Sequence, residues 1–384
     1  MSERDAVTRR HFVGGVAGAL GALSIAPGLA RANTQSVAAS MPSPRNRLDE
    51  YDAYAKLAAN ENPYGPPPSV MQAMTDAFKY ANRYGYPDGN IVQALAQHHG
   101  VGTENILLGA GSGEILDAVG TTFLRGGKKV ISVEPTFDSV YAHVTGIKAE
   151  AVRLPLRPDF GQDIPALIAA TKSFYRDVGF VYLCNPNNPT GKVVTKQEVQ
   201  QLLDGIPGDV VVLIDEAYHH FVEHPDYATS VPYVLAGRPV IIARTFSKIA
   251  ALAGMRLGYA VAPTELIREM RPYTMGSINA IVKWGGVAAL NDTESQAKVK
   301  KITLDLRKQV TGELTKAGFD VIPSETNFFM VNIRRPIQPV IQAFQRKQVL
   351  VGRPFPPMLQ HLRVSVGTAD EMQRFMKAFK EIVT

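Results

Sequence analysis

Short apolar runs recur through the first two-thirds of the chain, over 105–108, 129–133, 180–184, 210–214 and 239–243, and each ends in polar or glycine residues. Most lack the polar alternation of a strand with one wet face. Continuous Val/Ile/Leu runs of this length fit strands buried on both sides, as in a parallel sheet covered by helices. Helical patterns lie between them, for example over 114–124 and 196–203. Alternating strand and helix predicts an α/β domain with a doubly wound, mostly parallel sheet. Beyond about residue 291 the texture changes: a long charged helical stretch over 294–316 leads into 319–333, 349–351 and 362–366, and the last helix is expected over 369–382. That succession predicts a second, smaller α+β domain.

Open α/β sheets bind ligands beyond the carboxyl ends of their strands. The residues just after each apolar run are therefore informative. After 105–108 comes Gly109-Ala110-Gly111-Ser112-Gly113-Glu114, opening a helix; after 180–184, Asn185-Pro186-Asn187-Asn188-Pro189-Thr190-Gly191. After 210–214 comes Asp215-Glu216-Ala217-Tyr218, and after 239–243, Arg244-Thr245-Phe246-Ser247-Lys248. Four polar loops would converge on one sheet edge. Ser112 and Gly113 sit where a glycine-rich turn enters a helix, so backbone N–H groups and the helix dipole favour an anion there. Lys248 follows an apolar strand and precedes a small-residue loop, the setting of a poorly solvated amine that can attack a carbonyl carbon.

Composition narrows the classes. Of 384 residues 45% are hydrophobic and 20% charged, ordinary for a globular protein of about two domains. The net charge of +6 is spread without a basic cluster, so no nucleic-acid partner is expected. The lone cysteine, Cys184, excludes an intrachain disulfide and a CxxC motif. The N-terminus is a different object. Thr8-Arg9-Arg10-His11-Phe12 precedes a Gly/Ala/Val/Leu run over 13–29, and Ala30-Arg31-Ala32 supplies a cleavage site. This resembles a twin-arginine export signal. The run falls short of the ~18–20 residues that a membrane span needs, so no stable insertion is expected after cleavage. Export of the folded chain to the periplasm or exterior is the expectation, with a cytoplasmic location if the signal is unused. The full division expected is signal 1–32, linker 33–52, N-terminal arm 53–75 belonging to the small domain, large domain 76–291 and small domain 292–384.

The motifs occur in the order of a known family. From Lys56-Leu57-Ala58-Ala59-Asn60-Glu61-Asn62-Pro63-Tyr64-Gly65-Pro66, through Thr245-Phe246-Ser247-Lys248 and Met255-Arg256-Leu257-Gly258-Tyr259, to Leu362-Arg363-Val364-Ser365-Val366-Gly367-Thr368, the chain resembles class I/II aminotransferases. Within them it is similar to histidinol-phosphate aminotransferases. The resemblance implies fold type I and the cofactor pyridoxal 5'-phosphate, held by Lys248 as a Schiff base, with the freed amine as general base. It implies that Asp215 pairs with the pyridine nitrogen and that Tyr218 and Asn188 hydrogen-bond the phenolic oxygen. Ser112, Gly113 and Glu114 match the phosphate loop, although relatives often carry Ala-Asp-Glu there. Thr245, Ser247 and Arg256 would complete the phosphate cup, and Phe137 would stack on the ring. Tyr86, or the neighbouring Tyr84, matches a tyrosine that reaches the phosphate from a second subunit, which implies a homodimer with shared active sites. Arg363 matches the arginine that grips the substrate's anionic end. Arg353 matches a second positive group, with its register shifted by Gly352, and Asn60 and Tyr64 match gate residues.

The activity implied is ping-pong transfer of an amino group between an L-amino acid, or a histidinol-phosphate-like amine, and a 2-oxo acid. Histidine synthesis is cytoplasmic, so an exported chain is expected to prefer an amino acid with a neutral or aromatic side chain. Decarboxylation of a phospho-amino acid, racemisation or β-elimination would share the same cofactor residues. A remote alternative from another class lies in His220-Phe221-Val222-Glu223-His224, which fits the H-x-x-E-H pattern of inverted zinc peptidases if 220–224 is helical. No metal is otherwise expected.

Overall fold

The computed structural model describes residues 50–384. The export signal and most of the linker therefore lie outside the described residues. Glu50, Tyr51 and Asp52, expected as the linker's end, are helical. Among the described residues no helix is long and apolar enough to cross a membrane.

Among the described residues twelve strands follow one another: β1 (Ala55–Leu57), β2 (Ile106–Gly109), β3 (Lys129–Glu134), β4 (Glu150–Pro155), β5 (Val178–Cys184), β6 (Val211–Asp215), β7 (Val240–Thr245), β8 (Gly258–Val261), β9 (Asp320–Ile322), β10 (Phe328–Asn332), β11 (Val349–Val351) and β12 (His361–Ser365). Seven form one sheet in the order β2-β8-β7-β6-β5-β3-β4. It is parallel from β7 through to β4, while β8 runs antiparallel to both its neighbours. The five expected runs are all strands of this sheet. Alternate residues enter different cores: Ile131, Val181, Val212 and Ile242 pack on one face, and Val130, Phe180, Leu213 and Ile241 on the other. Burial on both faces removes any polar position from the pattern, which is why the runs read as continuous.

Two strands of the sheet had no such run. β4 lies at an edge, and none of its residues is fully buried. β8 is four residues long and fully buried. Helices run from Ser112 to Phe123 and from Lys196 to Gly205. The second begins at a capping box, in which Thr195 accepts from Glu198 N–H and Glu198 accepts from Thr195 N–H.

A separate apolar core lies around β10 and β12, where Phe329, Val331, Val364, Phe344, Phe375 and Phe379 meet. Ala55 and Leu57 of β1 are part of it, because β1 pairs in parallel with β11. The helix Thr293–Lys316 links the cores: Leu304 packs in the first, Val310 and Leu314 in the second. The apolar segment over 319–333 is two strands, β9 and β10, rather than one. Pro323 to Asn327 interrupts it, and Asn327 Nδ2 donates to Asn60 O at 3.0 Å.

Candidate active site

The loops after β2, β6 and β7 and the start of the helix Ser139–Gly146 enclose a cavity of about 310 Å³. Ser112, Gly113, Phe137, Asp215, Tyr218, Thr245, Ser247, Lys248 and Arg256 all line it, joined by Ser139 and Ala217, which no sequence motif singled out. Parallel strands end in register, so their loops meet at one edge.

Lys248 Nζ donates to Ala59 O at 3.2 Å and lies 5.5 Å from the centre of the Tyr218 ring. Burial, then the Arg363 guanidinium, lowers its amine to about 8. At pH 7 about a tenth of such amines are neutral, against fewer than ~0.1% for a free lysine. Asp215, at the end of β6, is 2% exposed. Its Oδ1 accepts from Ala217 N–H at 3.1 Å, and Tyr182 OH donates to Oδ2 over a long 3.4 Å. Burial outweighs these two donors and raises the carboxyl to about 6.

The same lining holds groups of the kind that could cradle an anion. Gly111 has φ +80° and precedes the helix Ser112–Phe123. A Cβ at Gly111 would lie 2.1 Å from Arg256 Nη2, so only glycine admits the guanidinium. Arg256, itself at φ +59°, donates to Ala253 O at 2.8 Å and Ala110 O at 3.1 Å, both neutral acceptors. Thr245 Oγ1 donates to Ser247 Oγ at 2.8 Å. Glu114 is not in this lining: its carboxylate accepts from the N–H groups of Ala110 and Met275, closing the turn from behind.

A hydrogen-bonded layer adjoins the cavity. Asn60 Nδ2 donates to Tyr218 OH at 3.0 Å, and Ser365 Oγ donates to Asn60 Oδ1 at 2.8 Å. Arg363, 6% exposed on β12, donates Nη1 to Asn188 Oδ1 at 2.7 Å and Nη2 to Ala58 O. Its Nε is buried without an acceptor, and burial lowers the group to about 10. Such a guanidinium gains from an anion. Asn188 is thus engaged by Arg363.

Other expected residues lie apart. Tyr64 is 41% exposed and lines a different cavity of about 230 Å³, with Asn62 and Ile249. Tyr84 and Tyr86 are 100% and 76% exposed. Arg353 lies outside the lining and pairs with Asp138. Sequence reasoning also missed the Arg244–Glu216 ion pair immediately behind the site, 2.6 Å long with side chains 5% and 0% exposed. Its only sequence signal is two charges in otherwise apolar strand ends.

The zinc alternative fails on backbone. The turn His219–Phe221 is a single 3₁₀ turn, and Val222 at φ −69°, ψ 135° is extended. The helical i, i+4 geometry that H-x-x-E-H needs is therefore absent. His220 is held neutral by burial, down to about 3. Among the described residues no group of three or more His, Cys, Asp or Glu could hold a metal ion.

A depressed lysine amine and a buried carboxylate facing an anion cup define an enzyme built around an anionic carbonyl cofactor. The profile of the class I and II aminotransferases matches residues 53–379, and this chain belongs to that family, whose chemistry is pyridoxal-phosphate-dependent transamination. It is 36% identical over 335 residues to the histidinol-phosphate aminotransferase of Moorella thermoacetica, covering 85% of each chain. It is 34% identical over 338 residues to histidinol-phosphate aminotransferase 2 of Pasteurella multocida, covering 85% of this chain and 90% of that one. The crystal structure of histidinol-phosphate aminotransferase from Sinorhizobium meliloti in complex with pyridoxal-5'-phosphate superposes with a TM-score of 0.79 at 24% identity, over 93% of this chain and 98% of that one. At that identity the last likeness speaks for the fold alone.

Proposed function

We propose that this enzyme moves an amino group between an L-amino acid with an uncharged side chain and a 2-oxo acid, with Lys248 as the amine that holds and then acts on the bound cofactor. One observation carries the reading: a depressed amine, a buried carboxylate lacking a cation, and an anion cup line a single cavity of about 310 Å³. The residues fit pyridoxal phosphate. A cationic ring nitrogen would relieve Asp215, whose carboxyl has one ordinary donor, Ala217 N–H, and one long one, Tyr182 OH. A phosphate would take the N–H groups at Ser112 and Gly113, the hydroxyls of Thr245 and Ser247, and Arg256. When bound, the group supplies the aldehyde that receives the amine and the ring that draws electrons from the Cα–H bond.

The chain's own residues do the rest. Lys248, partly neutral at working pH, takes the proton from Cα at Nζ and would return it on the same face, to the carbon that the cofactor's aldehyde supplies. Tyr218, held by Asn60, offers its hydroxyl from the wall beside Lys248. Arg363 grips the donor's carboxylate with the nitrogen that has no partner, fixing the Cα–H bond near the amine.

The homodimer belongs to the same proposal. The full exposure of Tyr84 and the near-full exposure of Tyr86 suit side chains that complete a second subunit's site. Export by the twin-arginine machinery rests on Arg9-Arg10 and the segment after them. It is the reason for preferring a neutral or aromatic amino acid over histidinol phosphate as donor.

The test is the visible absorption of the purified protein, titrated with L-amino acids in the absence of a 2-oxo acid. A cofactor band that is lost in Lys248→Ala and that shifts with some donors supports the proposal. A band that no donor shifts redirects it to decarboxylase, racemase or lyase chemistry. A protein that stays colourless with added pyridoxal phosphate refutes it.

A further inference from the structure

Two guanidiniums share one aromatic ring beside the site. Arg363 Cζ lies 4.7 Å, and Arg353 Cζ 4.3 Å, from the centre of Phe355. They differ in what they hold. Arg363 has neutral partners and a buried nitrogen without an acceptor. Arg353 donates to Asp138 Oδ2 at 2.5 Å, so its charge is already matched.

Asp138 stands between Phe137 and Ser139, both of which line the Lys248 cavity. It is the N-cap residue of the helix Ser139–Gly146, where an aspartate ordinarily accepts from the helix's first N–H groups. It makes no such bond. Its carboxylate goes to Arg353 instead. A neighbouring cavity of about 440 Å³ shows the same matching. Its charged lining residues are Glu134, Arg153, Asp138 and Arg353, and they form two ion pairs, Arg153–Glu134 at 2.9 Å and Arg353–Asp138. Tyr141 and Phe355 are among its other lining residues.

We infer that Asp138 is a specificity-determining residue, which by occupying Arg353 sets the site against donors with an anion at the end far from the amine and in favour of uncharged side chains. The pair is half-exposed, so a distal phosphate or carboxylate that engages Arg353 either competes with Asp138 or lies beside its carboxylate. That built-in repulsion discriminates where attraction alone would not. The inference rests on the proposal that Lys248 and Arg363 receive the donor.

Matched donors test it on the holoenzyme: L-tyrosine against O-phospho-L-tyrosine, and L-glutamine against L-glutamate. The quantity read is the ratio of kcat/KM for the uncharged to the anionic member. The wild type favours the uncharged member. Asp138→Asn lowers the ratio about threefold, mainly through KM of the anionic donor, the size typical of one solvent-exposed charge pair. The change vanishes when Arg353→Gln is added, which a merely structural role for Asp138 would not produce. A ratio unmoved by Asp138→Asn, a change that survives loss of Arg353, or a wild type that favours the anionic member overturns the inference. If no amino acid reacts with the wild type, the proposed function fails, and calorimetry with inorganic phosphate on the holoenzyme then decides about Asp138. Binding about threefold tighter in Asp138→Asn supports the inference, and equal binding overturns it.

Discussion

Asp215→Asn separates what the site needs for binding from what it costs in stability. In protein stripped of cofactor, burial raises the Asp215 carboxyl from its ordinary 3.8 to about 6. A raised carboxyl favours the folded state fully below the unfolded pKa and loses that contribution as the pH rises through about 6. The shift of ~2 units amounts to about 3 kcal/mol against the folded state at pH 7.5 and only about 0.5 kcal/mol at pH 4. Asparagine keeps an oxygen for the Ala217 N–H and has no charge to bury. It loses the 3.4 Å bond from Tyr182, which is worth at most about 1 kcal/mol at that length. The stripped variant should therefore be more stable than stripped wild type by about 2 kcal/mol at pH 7.5, with the gap closing towards pH 4. Urea unfolding followed by circular dichroism at both pH values measures it. Adding pyridoxal phosphate should reverse the order at pH 7.5, because only the wild type gains a carboxylate–pyridinium pair. A stripped variant less stable than wild type at pH 7.5, or a gap independent of pH, would refute the reasoning.

Two further substitutions probe the supports of the cavity. Gly111→Ala places a methyl 2.1 Å from Arg256 Nη2 at a positive φ, so the cup must open. Titration of the stripped protein with pyridoxal phosphate should show affinity at least ~10-fold weaker, and unchanged affinity would show that Arg256 is not a phosphate ligand. Glu216→Gln leaves the buried Arg244 without a counter-charge and should destabilise the protein by about 3–5 kcal/mol, read as a lower urea midpoint. A loss under ~1 kcal/mol would mean that water or Thr229, which already accepts from Arg244 at 2.7 Å, satisfies the charge.

Legibility in the sequence tracks the range of the interactions. Strands β3, β5, β6 and β7 were legible because burial on both faces leaves continuous apolar runs, whereas the edge position of β4 leaves every residue at least partly exposed and so breaks the run with polar ones. Lys248, Asp215 and Ser112 were legible because a parallel sheet sends successive strand ends to one edge, so local motifs predict a shared site. Bonds between distant positions left no such trace. Asn60 and Ser365 are 305 positions apart, and Arg353 and Asp138 are 215 apart. No local pattern announces either pair. The run over 319–333 misled because apolar content does not show that Pro323 to Asn327 must turn towards Asn60. H-x-x-E-H misled for the converse reason: its spacing has meaning only on a helix, and the chain leaves helical geometry at Val222.

Charge ties these parts together. The lining of the cavity carries Lys248 and Arg256 against the single carboxylate of Asp215, and Arg363 stands in the adjoining layer. Burial alone would press both charges of a Lys248–Asp215 pair towards neutrality, and each moves that way, the amine down to about 8 and the carboxyl up to about 6. Yet Glu216, one residue after Asp215, remains matched to Arg244. The surrounding scaffold thus supplies a close ion pair where a charge is structural, at Glu216 and Arg244, and among the described residues none at Lys248, Asp215, Arg256 or Arg363. Four under-matched groups of both signs around one cavity fit a ligand that is dianionic at one end and cationic in its ring, together with a substrate carboxylate. A site for a purely apolar or a purely cationic ligand would leave the buried Arg363 desolvated with no compensation.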